Sequence, residues 1–243
     1  MRRFFISSCT LIFILAIYFN FPLFAGQNDY NLIDTPKAYT SYKGDMRFEF
    51  SMYDDGGVLG SATLAISDFA FLGIYFDVGK LIGSENVSWN PPGVIARFLL
   101  SDGTTALPPI AIGYSYFMKG ELSKVNGTIV NGIYIVASQS YFFLGYEQML
   151  NYGVRYPVMP VEYSRPENLS FFVGTDLEVS PEFSIKGEIE NIHFGEGKWP
   201  LTFYNFGVTL NVADLISLSF EFKYSKSIDR VVRMLNIAYL SQF

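Results

Sequence analysis

The residue types capable of covalent or acid–base chemistry are few in this chain. His193 is its only imidazole and Cys9 its only thiol, so a nucleophile activated by histidine would have to use His193. Glu188 and Glu190 stand two apart in an alternating stretch, which puts their carboxyls on one strand face about 7 Å apart, within the separation that glycosidases use. Such pairs are common without catalysis. The chain contains no HExxH, CxxC, P-loop or GxSxG, and the Asn-x-Ser/Thr matches at Asn86, Asn126 and Asn168 are incidental. No catalytic residue, metal or cofactor is expected.

The charged residues that do recur are Arg47, Glu49, Asp77, Arg97, Asp176, Glu178, Lys186, Glu188, Glu190, Glu221 and Lys223. Each lies in an extended segment and alternates with apolar neighbours. The clearest such segment is Ile216 to Ser225, where Ile216, Leu218, Phe220, Phe222 and Tyr224 fall on one side and Ser217, Ser219, Glu221, Lys223 and Ser225 on the other. A period of two is a strand whose faces meet different solvents. After a turn at Lys226 to Arg230, a last run puts Leu235, Ile237, Tyr239 and Phe243 on one face.

Aromatic residues make up 18% of the chain and charged residues 16%. A soluble domain would have to bury nearly all those rings in one core, whereas a transmembrane barrel places them against lipid and at the interfaces. Counting alternation and turn chemistry gives about twelve strands: Met46–Tyr53, Val58–Ile66, Phe69–Val78, Val94–Ser101, Ile110–Met118, Ile133–Ser140, Leu144–Tyr156, Leu169–Val179, Phe183–Ile192, Phe203–Val212, Ile216–Ser225 and the terminal run. The seventh is the least regular, since Glu147, Gln148, Asn151 and Tyr152 interrupt it. Connections after the even strands are mostly short and those after strands three, five, seven and nine are long, the asymmetry of short periplasmic turns and longer outer loops. The fold class read from this is all-β, a single antiparallel up-and-down transmembrane β-barrel of the bacterial outer membrane, spanning residues 45–243.

Ahead of it, Arg2 and Arg3 precede an apolar run from Leu11 to Phe19 and then Asn20, Pro22 and Ala25, the order of a signal peptide over residues 1–25. Residues 26–44 are polar, turn-rich and aperiodic, and read as a periplasmic lead-in or a segment tucked into the barrel mouth. Without Arg2 and Arg3 the chain has 15 basic and 23 acidic residues, a net charge of −8, which argues against nucleic acid as a partner.

With apolar faces outward, the eleven charged residues named above line the lumen, seven acids and four bases, because Lys or Arg on the lipid face at mid-depth costs about 2–4 kcal/mol. Two readings stay open: a mutually neutralised network packing a narrow interior, or a constricted aqueous path with a mild preference for cations or polyols. Twelve strands lie between the filled eight-stranded and the open sixteen-stranded case.

Several stretches resemble the YjbH-type proteins, outer-membrane barrels associated with exopolysaccharide or capsule loci. They are Asn31-Leu32-Ile33-Asp34-Thr35-Pro36, Gly56-Gly57-Val58-Leu59, Leu81-Ile82-Gly83-Ser84 and Asn90-Pro91-Pro92-Gly93, with Ala137-Ser138 and Tyr141. The resemblance covers the N-terminal half of the barrel and implies a non-enzymatic part in moving or anchoring surface polysaccharide. The ending through Tyr239 to Phe243 resembles the assembly signal of outer-membrane proteins, which implies outer-membrane lipid and the barrel-assembly machinery as partners. Twelve-stranded outer-membrane phospholipases share this architecture, but Phe194 and Gly195 follow His193 where those enzymes carry His-x-Ser. The expected function is a passive pore or export accessory for surface polysaccharide or a small polar solute. The alternatives are a plugged, surface-binding barrel and a lipid-modifying enzyme.

Overall fold

The computed structural model describes residues 29–104, 107–117, 130–143, 145–158, 169–192, 202–212, 215–225 and 229–241. Twelve strands form the wall: β1 (Met46–Tyr53), β2 (Gly57–Ser67), β3 (Ala70–Gly79), β4 (Gly93–Ser101), β5 (Ile110–Phe117), β6 (Val130–Phe143), β7 (Tyr146–Tyr156), β8 (Ser170–Ser180), β9 (Phe183–Ile192), β10 (Phe203–Val212), β11 (Ile216–Ser225) and β12 (Arg230–Ser241). Each pairs antiparallel with its sequence neighbours. β1 also pairs with β12, from Met46 opposite Ser241 to Tyr53 opposite Met234, so the sheet closes on itself and no wall strand is left as an edge. The two-residue strand Ser88–Trp89 adds to Val78 and Gly79 at one rim.

Side-chain placement follows the period of two. Phe50, Leu72, Ile74, Phe76, Phe206 and Phe220 point away from the axis and are 45–54% exposed, while the polar residues between them are buried. In water so large an apolar surface would aggregate; it is the surface that hydrocarbon accepts. The turns at Asp68–Phe69 and Pro181–Glu182 are two residues long, and at the opposite end residues 80–92 form a long connection. Met46 and Ser241 meet at the short-turn end, which is the periplasmic one in barrels of this kind.

β6 extends beyond its expected span at both ends, because Phe117 pairs with Val130 and Phe143 with Tyr146. The backbone ladder continues where the side-chain pattern fades. In β7 the alternation survives: Met149, Asn151 and Arg155 are buried inside, Asn151 opposite Ser138. A polar residue interrupts a strand only if both faces are apolar, and here one is not. Arg230 belongs to β12, not to the turn before it.

Three inward aromatic side chains lie over a glycine of the adjacent strand: Tyr53 over Gly57, Tyr134 over Gly113 and Phe172 over Gly153. In each case the two residues are direct cross-strand partners. At Gly113 and Gly153 a Cβ would collide with the ring and with a neighbouring carbonyl. The missing side chain lets each ring lie flat on the wall.

Candidate functional site

The lumen contains the chain's own N-terminal segment. Residues 30–37 form a tight turn: Asn31 bridges to Pro36, Leu32 N–H donates to Thr35 C=O (2.9 Å), and Lys37 N–H donates to Tyr30 C=O (3.1 Å). Residues 32–38 are all buried. The segment leaves past the short-turn rim, where Lys43 N–H donates to Asp68 Oδ1 (2.8 Å), and Gly44 and Asp45 lead into β1.

This plug is held by side chains of β1, β4, β6, β8, β9 and β11. Lys37 pairs with Asp176 of β8 (2.9 Å). Asp29 bridges Arg47 of β1 (2.7 Å) and Lys186 of β9 (2.5 Å), and Asp34 pairs with Lys223 of β11. Ala38 N–H donates to Ser138 Oγ of β6 (2.7 Å), whose hydroxyl donates onward to Asn151 of β7 (2.5 Å). The turn presents three consecutive backbone N–H groups, of Ile33, Asp34 and Thr35, to the Glu188 carboxylate at 3.1, 2.9 and 3.0 Å. Asn205 Nδ2 completes its shell at 2.6 Å. Hydrogen bonds to a charged group contribute about 1.5–3 kcal/mol each, so Glu188 is a dock for the turn.

Arg97 of β4 is fully buried and clasps both arms of the plug. It donates to Tyr30 C=O (2.6 Å), Asn31 Oδ1 (2.8 Å) and Tyr39 C=O (3.2 Å), and to Tyr134 Oη (2.9 Å). Its guanidinium lies over the rings of Phe71 (4.8 Å) and Tyr134 (5.7 Å), an environment that suits the weakly hydrated, planar cation. Tyr30 in turn stacks on Phe71 at 4.2 Å between centroids. Leu32 and Ile33 nest over Gly174 and Gly207, where the wall has no side chain.

The electrostatics favour the seated plug. Burial by itself pushes the Asp29 carboxyl up, but Lys186, Arg47 and Lys37 together outweigh it and hold the group well below the usual carboxylate range.

The lumen-facing residues read from the sequence are brought together unevenly. Arg47, Arg97, Asp176, Lys186, Glu188, Glu190, Glu221 and Lys223 are buried at the level of the plug. Glu49 is half-buried beside Arg47 (3.4 Å). Asp77 sits nearer the long-loop rim and accepts from Tyr53 Oη (2.6 Å) and from Asn90. Glu178 is half-buried near the short-turn end of β8. Glu188 and Glu190 do share a face, but Glu188 is occupied by the plug and Glu190 faces Arg155 (3.9 Å). Carboxylate oxygens of Asp34, Glu188 and Glu190 lie within 4.8 Å of one another. Lys223, Arg155 and the turn N–H groups already supply positive charge there, so the trio is an ion-pair network in form. Tyr239 is exposed on the outer face; Phe243 and His193 lie outside the described residues.

Sequence reasoning did not place Arg155, Tyr134, Ser138, Asp29, Asp34 or Lys37 in the lumen. For Arg155 the signal was available, since it continues the inward series Met149, Asn151 and Gly153. For the plug the hint was an apolar pair, Leu32 and Ile33, set in an otherwise polar, aperiodic segment.

No family model and no curated protein matches the chain. Among solved structures, a KdgM porin in complex with disordered oligogalacturonate is similar, with a TM-score of 0.52 at 10% identity over 80% of this chain and 98% of that one. A second KdgM porin structure gives 0.51 at 10% identity with the same coverage. The outer membrane protein Omp33 of Acinetobacter baumannii gives 0.48 at 10% identity, over 83% and 98%. The likeness is one of fold, a closed antiparallel twelve-strand β-barrel. With its apolar exterior, this barrel is a protein of the bacterial outer membrane.

Proposed function

We propose that the protein is a passive outer-membrane conduit for a polar solute, closed at rest by its own residues 29–44. The observation that carries this is the way the lumen holds the plug. The wall grips a folded-back peptide segment through side chains that take backbone carbonyls, backbone N–H groups and charges alike: Arg97, Glu188, Ser138, Lys186 and Lys223. A lumen that solvates a polar chain offers the same groups to hydroxyl-rich or charged oligomers once the plug is withdrawn. Surface polysaccharide or an oligosaccharide is the proposed cargo, supported by the resemblance to YjbH-type barrels and by the similar fold of a porin in complex with disordered oligogalacturonate. The proposed partners are outer-membrane lipid and the assembly machinery, and the chain's role is non-enzymatic. Residues 1–25 are proposed to be removed as a signal peptide.

A second reading, a permanently plugged surface-binding barrel, draws on the same ion pairs, which give the seated plug a deep well. Single-channel recording in a planar bilayer separates the two. Deleting residues 29–44 is expected to convert a protein of low conductance into one with large, stable openings that neutral oligosaccharides reduce. A conduit also shows rare openings of that size in the intact protein, whereas a permanently plugged barrel opens only once residues 29–44 are deleted; a folded deletion variant with no openings in any salt refutes the conduit.

A further inference from the structure

The plug does not fill the barrel evenly. On the side of β3 to β6 the inward wall carries Phe71, Tyr75, Ile95, Tyr134 and Val136, which pack with Tyr30 and Ala38 of the plug. On the side of β1, β2, β11 and β12 the inward positions include a run of short polar residues, Ser51, Ser61, Thr63, Ser217, Ser219 and Asn236, while Leu59, Tyr75, Ile95 and Phe117 form an apolar flank. Between these and the plug lies a crevice of about 40 Å³, against the roughly 10–15 Å³ that one water requires. On β11 it runs from Ser217 to Glu221 and on β1 from Arg47 to Ser51, about 13 Å along each strand.

Three carboxylates, Asp29, Glu49 and Glu221, and two cations, Arg47 and Lys186, line it, leaving one net negative charge. Both cations are already engaged by Asp29. Asn236 is 6% exposed and its Oδ1 has no hydrogen-bond partner among the described residues, so an unsatisfied carbonyl dipole borders the crevice. One inward step beyond Ser51 and Asn236, toward the long-loop side, stand Tyr53 and Met234. Met234 packs with Val232, Ile33 and Tyr53 into an apolar collar.

We propose that this crevice is a path for small monovalent cations past the seated plug, with the collar of Tyr53, Ile33, Val232 and Met234 as its apolar constriction. Oxygen dipoles and a net negative wall replace part of a cation's hydration, whereas a bare anion meets no compensating free cation there. A space of about 40 Å³ holds a few waters or a partly dehydrated potassium ion and excludes an oligomer. The proposal rests on the reading of the barrel as a conduit, but concerns the protein with its plug in place.

The test is planar-bilayer recording of the full chain in a KCl gradient, with tetraethylammonium as the oversized probe and heat-modifiable gel migration as the check of folding. The wild-type protein is expected to pass a small current, selective for potassium over chloride and not carried by tetraethylammonium. Val232→Ser with Met234→Ser is expected to raise it several-fold with the plug still seated. Glu221→Gln should move the zero-current potential toward zero, and Ser219→Leu should suppress the current. An anion-selective current, or one indifferent to both Glu221→Gln and Ser219→Leu, overturns the proposal. So does a wild type with rare full-size openings but no small steady current, when its folded serine variant behaves the same and the barrel lacking residues 29–44 conducts; that pattern leaves the conduit reading standing. A folded deletion variant that never conducts overturns the conduit reading itself.

Discussion

Arg97→Met removes the clasp on the plug and keeps an apolar stem of similar length between Phe71 and Tyr134. Three bonds to the plug disappear, at 2.6, 2.8 and 3.2 Å. Counting only the two shorter ones at about 1.5 kcal/mol each, the low end for a charged donor, seating of the plug weakens by about 3 kcal/mol. At 1.4 kcal/mol per factor of ten, the unseated population rises about 100-fold. Thr35→Cys provides the reporter, because Thr35 is completely buried and its hydroxyl has no partner among the described residues. If Cys9 leaves with the signal segment, the reporter is the only thiol. The rate of maleimide labelling follows the unseated fraction when reseating is fast, so it should rise by about two orders of magnitude in Arg97→Met at unchanged barrel stability. A labelling rate equal to that of the parent would refute the argument that Arg97 holds the plug in place.

Two further expectations concern the ion pairs. Lys223→Met removes the cation paired with the buried Asp34 carboxylate, while Arg155 stays nearby, and should weaken plug seating by about 3 kcal/mol, the low end for breaking a buried pair; adding Asp34→Asn should restore most of that, as read by the same labelling rate. The pH dependence follows from Asp29, whose carboxyl is held below its ordinary range when the plug is seated. A depressed carboxyl stabilises above its unperturbed pKa and loses that contribution as the pH falls through the lowered value. Conductance and labelling at pH 5 should therefore match those at pH 7, with unseating only in acid below the ordinary carboxylate range; opening between pH 7 and 5 would show that Asp29 does not carry the clamp.

The wall was legible in the sequence because lipid and water enforce a strict period of two. The spans of β1, β9, β10 and β11 coincide with those read from alternation, and the outward faces of β1 and β11 are the apolar ones. That residues 26–44 tuck into the barrel mouth was one of two readings left open, but the contacts of the plug were not legible, for the complementary reason. Asp29, Asp34 and Lys37 are polar residues in an aperiodic segment, and nothing local distinguishes a carboxylate bound for water from one bound for Lys223 on a strand nearly two hundred residues away. Arg97 could be assigned to the inside by its strand neighbours. Two of its four acceptors are backbone carbonyls, which carry no sequence signature at all.

The rings seated over glycines bear on how the barrel finds its alignment during assembly. Tyr134 faces Gly113 across the β5–β6 ladder and Phe172 faces Gly153 across β7–β8. A two-residue slip keeps every side chain on its proper face, so hydrophobic sorting alone does not reject it. It would, however, bring Tyr134 against Ala111 or Ser115, where a Cβ stands in the ring's place. Empty positions in the wall thus act as keyholes that discriminate between alignments the lipid cannot tell apart.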